Sequence, residues 1–162
     1  TGAMADMAGG IALAGLQVLS ARAITTGSVA TTLWEVTRND IDVKKVTDRI
    51  KSVVDGTLDL ESRLKLAPSD DVDTTVKVLD ELSHTATLIE VRAEDRRGLV
   101  WAVCRAIAAA GISIRSAHLS TYGPEARDVF YVVDAKGQPL APSEAEGLAE
   151  RVAAALGTGS SA

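Results

Sequence analysis

The segment T-L-I-E-V-R-A-E-D-R-R-G-L, Thr87 to Leu99, decides the fold of this chain. Thr87 to Val91 alternates like a strand. Leu99 to Ala110 carries Leu99, Val103, Ile107 and Ala110 on one helical stripe, with Val100 beside it. Asp95-Arg96-Arg97-Gly98-Leu99 is therefore a strand-to-helix loop. Backbone N–H groups at the start of such a helix have no partner within it, and they suit a small anion such as an amino-acid carboxylate. Gly111 stands where a glycine commonly stops a helix.

Moved by about 96 residues, the chain overlays itself. A-G-L-Q-V-L-S-A-R-A-I-T-T-G, Ala14 to Gly27, aligns without a gap on A-G-I-S-I-R-S-A-H-L-S-T-Y-G, Ala110 to Gly123. From position 11 to 36, roughly ten of about 26 pairs are identical. Each copy reads helix, strand, strand, helix. The apolar phase slips from Leu16 and Val18 to Ala21 and Ala23, and from Ile112 and Ile114 to Ala117 and Leu119. That slip predicts a β-bulge in both copies. Turns follow at Gly27 and at Gly123-Pro124, then strands at Leu33 to Val36 and Val129 to Val133. A second amphipathic helix spans Val43 to Val54 in one copy and Ser143 to Leu156 in the other. Ser143 and Glu146 have the spacing of a capping box.

Val76 to Leu82 alternates as a strand and is expected to close the first copy. The complete unit is then β-α-β-β-α-β, an α+β ferredoxin-like arrangement. The expected organisation is a first unit over 1–82, with a polar linker at 57–73 and a closing strand at 76–82. This unit lacks its opening strand, its loop being cut at Gly2. A second unit covers 83–157, and 158–162 is a disordered tail. Val129, Tyr131 and Val133 lie on the strand face opposite Phe130 and Val132, and a sheet apolar on both faces must be covered twice. That predicts pairing of the two units or a homodimer.

Of the 162 residues, 46% are hydrophobic and 24% charged, which fits one ordinary domain or two small ones and not wholesale disorder. The net charge of -5 and the scattered Lys and Arg exclude a nucleic-acid or anionic-membrane surface. No apolar run approaches the roughly 20 residues of a membrane span. Ile11 to Leu19 is apolar but lacks the basic flank of a signal peptide. A single cysteine excludes an intrachain disulfide and fits a reducing cytoplasm, the expected location.

The loop D-R-R-G-L resembles the D-R-x-G-L of ACT domains, small amino-acid-binding regulatory modules. The chain is similar to the tandem ACT pair at the C-terminus of the bacterial bifunctional PII uridylyltransferase/uridylyl-removing enzymes. The resemblance rests on E-V-R-A-E-D-R-R-G-L-V at Glu90 to Val100, S-A-H-L-S-T-Y-G at Ser116 to Gly123 and D-V-F-Y-V at Asp128 to Val132. G-L-Q-V-L-S-A-R at Gly15 to Arg22 fits the first ACT copy. It implies a regulatory region that senses glutamine, in a parent whose other domains uridylylate and de-uridylylate the PII nitrogen-signalling protein. No nucleotidyltransferase G-G/S-D-x-D pattern and no H-D metal motif occurs, and the histidines are His84 and His118. The region is thus expected to hold no catalytic residue, metal or cofactor, magnesium belonging to the catalytic domains. Two alternatives stand: a separate ACT pair that binds another amino acid or serves dimerisation, and a complete small enzyme. The enzyme would need paired catalytic groups that the sequence does not display.

In ACT pairs the ligand commonly lies between one unit's loop and the start of the other unit's second strand. The resemblance therefore implies a ligand site of Asp95, Arg96, Arg97, Gly98 and Leu99 facing Gln17, Val18 and Leu19. Ser113 and Ile114 occupy the corresponding strand start of the second unit. The family often has Asn or Asp where Gln17 and Ser113 stand. Asp95 either faces a ligand ammonium or caps the helix. Arg96 and Arg97 either hold a carboxylate or are solvated loop arginines. Gly98, with no Cβ, lets its backbone approach a ligand. Trp101 is either a half-exposed ring covered by Arg105 or an interface to other domains. Cys104 reads as an inert buried thiol, and His118 as a structural or interface residue.

Overall fold

The computed structural model describes residues 2–26, 29–37, 40–66, 69, 72–79 and 83–157. Gly27, residues 80–82 and the tail 158–162 lie outside them. The order is α1 (Ala3–Leu13), β1 (Val18–Thr26), β2 (Val29–Val36), α2 (Val43–Val54) and α3 (Leu60–Arg63). There follow β3 (Thr75–Leu79), β4 (Thr87–Glu94), α4 (Leu99–Ala109), β5 (Ser113–His118), β6 (Thr121–Tyr122), β7 (Glu125–Val133) and α5 (Pro142–Ala155). The repeat holds in three dimensions. Helices α1 and α4 coincide after the offset, and the register shifts fall at Val18/Ser20 and at Ile114/Ser116, as the apolar phase predicts.

Both units belong to one antiparallel sheet, ordered β2-β1-β5-β7-β4-β3, with β6 paired on β7. The join is β1 on β5, where Ser20 faces His118, Ala21 faces Ala117 and Arg22 faces Ser116. Ala21 and Ala117 are equivalent in the repeat, so the two units meet about a local twofold relation at this alanine pair. The units pair edge to edge, which leaves the helix-free sheet face open instead of covering it as the two-sided apolar strands led one to expect.

Ile89, Val91 and Ala93 of β4, Phe130 and Val132 of β7, Ala117 and Ala21 share the buried core. Helix α1 packs against α2 and α4, and α4 packs against α5. Glycines let α1 approach closely. A Cβ on Gly9 would lie 2.6 Å from Leu60 Cδ1 and 2.9 Å from Trp101 Cδ1, and one on Gly10 would lie 2.9 Å from Ile50 Cγ1. On the opposite sheet face Leu33 is 71% and Ile24 56% exposed, while Val129 and Tyr131 are half-buried.

Three expectations are corrected. Strand β3 pairs antiparallel with β4, Val76 beside Val91 and Val78 beside Ile89, and not with β1 or β2. It takes the fourth-strand place of the second unit although it precedes that unit's first strand in the chain. Alternation marks a strand but cannot name its neighbour. The 57–73 segment is not merely polar linker: it holds α3, and Leu60 and Leu64 are buried in the core. Helix α5 begins at Pro142 with Ala141 as N-cap and no side-chain cap bond, so the Ser143–Glu146 capping box does not form. Proline at the first helical position needs no N–H partner and sets the start one residue earlier.

Candidate ligand site between the two units

A cavity of about 320 Å³ opens where α1 and the start of β1 meet the β4–α4 loop. That volume is at the lower end of the roughly 300–1,000 Å³ of small-molecule sites. Asp95, Arg96, Arg97, Gly98 and Leu99 line it from the second unit, and Gln17 and Val18 from the first. This is the pairing the sequence implies. The units are bridged at its mouth by Gln17 Nε2, which donates to Asp95 Oδ2 at 3.0 Å. Thr121 Oγ1 donates to the same oxygen at 3.3 Å.

Of the two readings of Asp95, capping is excluded. The N-cap of α4 is Gly98, at φ 88°, and no side chain caps the helix among the described residues. Leu99 N–H turns back to Arg96 O at 3.1 Å, and the first bond of the helix ladder is Ala102 N–H to Gly98 O. Val100 and Trp101 N–H groups therefore have no acceptor within the helix. The positive φ of Gly98 is what lets the chain leave β4 and enter α4 in so short a loop.

The arginines also bond within the protein: Arg97 is an exposed loop arginine and Arg96 is half-buried. Arg96 donates from Nη2 to Leu156 O at 2.9 Å, and Arg97 from Nε to Ala12 O at 3.1 Å. Each guanidinium reaches the carbonyl end of a helix, α5 and α1 respectively, where a cation meets the negative end of the dipole. Burial lowers the pKa of Arg96, opposed by the charge of Glu94.

Leu19, Ser113 and Ile114 are not brought to the cavity. Leu19 sits at the bulge of β1, 40% exposed, and only its carbonyl is engaged, by Leu119 N–H at 3.2 Å. Ser113 pairs with Val133 on β5, and Ile114 is buried in the core. Trp101 is 5% exposed rather than half-exposed, because α1 and Leu60 cover it. The Arg105 guanidinium does lie over its ring, 5.4 Å from the centroid, and bonds Glu61 at 2.7 Å. Cys104 is the buried thiol expected, its pKa pushed up to about 12 by burial and then by Asp128. His118 packs edge-on against Tyr131 at 5.7 Å.

Sequence reasoning missed Asp128, Thr121 and the wall of α1, Ala8 and Ala12. The signal for Asp128 was present: it alternates in phase with Phe130 and Val132, and so it faces the helices. At 3% exposure it is the buried charged residue among those described. Burial pushes its carboxyl up to about 7, a Ser120 N–H bond opposes this, and the charge of Asp95 adds to it. The folded protein thus holds the proton more tightly than the unfolded chain. Between about pH 4 and pH 7 the unfolded state sheds its proton first, so the contribution of Asp128 falls as pH rises and is flat above. Asp128→Asn should therefore stabilise the fold at pH 8 by on the order of a few kcal/mol, with the gain gone by about pH 4. Urea unfolding at the two pH values checks this, and an equal difference at both would contradict it.

Among the described residues no helix is long and apolar enough to cross a membrane, and no group of three His, Cys, Asp or Glu could hold a metal ion.

Residues 87–146 match the ACT domain family. A bifunctional uridylyltransferase/uridylyl-removing enzyme of Streptomyces coelicolor is 40% identical over 113 residues, covering 65% of this chain and 14% of that protein. The enzymes of the same description from Rhodospirillum rubrum and Rhodopseudomonas palustris are each 32% identical, over 86% and 96% of this chain and 17% and 19% of their own lengths. The chain therefore spans less than a fifth of these relatives. No solved structure matches it significantly. With an ACT match from β4 to the first turn of α5 and similarity to these enzymes along nearly its full length, the chain carries an ACT regulatory domain and is related to the bifunctional uridylyltransferase/uridylyl-removing enzymes.

Proposed function

We propose that this region binds free glutamine between its two units and so biases a parent enzyme between uridylylation and de-uridylylation of the PII signal protein. The observation that carries the reading is the Gln17–Asp95 hydrogen bond, which ties the units together across a cavity of amino-acid size. The unpartnered N–H groups at the start of α4 receive the ligand's carboxylate, and Asp95 receives its ammonium. A bound ligand competes for the acceptor that now holds Gln17, so it favours one arrangement of the units over another. The shift is limited to the ligand's difference in affinity for the two. In this reading the region is regulatory, uses no cofactor, and leaves catalysis to other domains.

A thermal-shift screen of the twenty amino acids tests it. Glutamine at about 100 times its dissociation constant should add about 2.7 kcal/mol, or roughly 5–10 °C in melting temperature. A response confined to serine or to a branched-chain acid would transfer the site to a different effector. No response at all would leave the region as a dimerisation module, and the exposed Leu33 and Ile24 of the helix-free face would then be the surface to examine by light scattering.

A further inference from the structure

Asp128 has one oxygen engaged and one idle. Ser120 N–H donates to Oδ1 at 3.3 Å, and among the described residues nothing donates to Oδ2. The residue is 3% exposed, yet it lines the same cavity as Asp95, Gln17 and Gly98. Oδ2 is not among the buried atoms left without a partner, so it opens to the cavity, where a donor on a ligand can reach it.

Among the described residues the surroundings offer a weak internal donor, the Cys104 thiol, which burial keeps protonated. From β4 the neighbour in register is Val91, and from α4 the titratable neighbour is the Cys104 thiol. Across the cavity stands Asp95, another carboxyl. The α1 wall is Ala8 and Ala12, which carry no charge. The two arginines of the loop, which also line the cavity, bond the Leu156 and Ala12 carbonyls, and neither bonds Asp128. The cavity therefore has a rim carboxyl already shared by Gln17 and Thr121, and a buried carboxyl that waits for a hydrogen-bond donor.

We propose that Asp128 is the specificity residue that accepts a hydrogen bond from the side-chain carboxamide of the bound amino acid and rejects a side-chain carboxylate. This rests on the glutamine reading above. With the ligand's carboxylate at the α4 start and its ammonium at Asp95, the far end of its side chain is the group left to meet Asp128. A carboxamide brings two N–H donors to Oδ2. A carboxylate brings acceptors only, and a second negative charge beside two carboxyls. Sites built around one buried polar partner discriminate strongly against an analogue that leaves it unpaired.

Calorimetric titration of the whole chain with glutamine and with glutamate tests the inference. At about pH 8, where Asp128 is ionised, wild type should bind glutamine at least about tenfold more tightly than glutamate. Asp128→Asn should narrow that ratio to about threefold or less, because asparagine can donate to a carboxylate. Should that variant fail to fold, wild type titrated at about pH 6 gives the same reading: Asp128 then carries a proton, can donate, and the ratio should narrow. A ratio that neither the substitution nor the pH changes overturns the role of Asp128 and leaves glutamine binding intact. Equal affinities in wild type do the same. Binding of neither amino acid to wild type overturns both this inference and the reading it rests on.

Discussion

Phe130→Ala should cost about 3–5 kcal/mol, the range for truncating a fully buried aromatic side chain. Phe130 is 0% exposed on β7, flanked in register by Ile89 of β4 and Ala117 of β5. Ala117 in turn faces Ala21 of the first unit. The ring therefore fills the core one strand away from the join between units. Its small neighbours cannot close the gap: alanines have no side chain to swing into it, and the strands are held by their ladders. A loss of this size is a large part of the 5–15 kcal/mol that stabilises an ordinary domain. It should lower the melting temperature by roughly 6–20 °C in calorimetry. A single transition lost as a whole would show that both units melt together. A loss under about 1 kcal/mol would mean that the core relaxes freely around the site.

Asp95→Ala should do the reverse, with a small effect on the fold and a large one on the site. The carboxylate is exposed at the cavity mouth, and its partners Gln17 and Thr121 can both turn to water. The cost to stability should stay within about 1 kcal/mol, as for other exposed polar contacts. Ligand binding loses a charge-assisted bond to the ammonium, so affinity should fall about 10–100-fold, and the stabilisation by glutamine at about 100 times the wild-type dissociation constant should drop from about 2.7 kcal/mol to about 0.4–1.4 kcal/mol. An unaltered shift would remove Asp95 from the site. Gln17→Ala separates the bridge from the ligand contact: it deletes the Gln17–Asp95 bond while leaving the carboxylate in place.

Much of the fold was legible because its signals are local. Helical stripes identify α1, α2, α4 and α5, and the apolar phase slip predicts a bulge in β1 and in β5. The loop from Asp95 to Leu99 could be read as a candidate site because a strand-to-helix turn presents free N–H groups, although Gly98 also has the structural task of starting α4 at positive φ. Its partners were harder. Gln17 and Val18 were reached through the repeat and the family resemblance, whereas Leu19, next to them, is turned out at the bulge. Arg96 and Arg97 could be read as carboxylate ligands or as solvated loop arginines, but not as partners of helix carbonyls that lie nearby in space and far away in sequence. Asp128 was hidden inside an apolar strand, where its alternation marked it as inward without saying that it met a cavity.

By itself the sequence determined the principal helices and strands, the twofold repeat and the family, all properties that follow from residue type and short-range spacing, and it offered the Asp95–Leu99 loop as a candidate site. Tertiary structure alone decided which strands are neighbours: that β3 lies on β4, that β1 joins β5 at the Ala21–Ala117 pair, and that Gln17 consequently meets Asp95. A strand presents the same backbone donors and acceptors on both edges, so its partner is chosen by the packing of the helices above it, and that packing joins residues far apart in the chain, as where Gly9 of α1 meets Trp101 of α4.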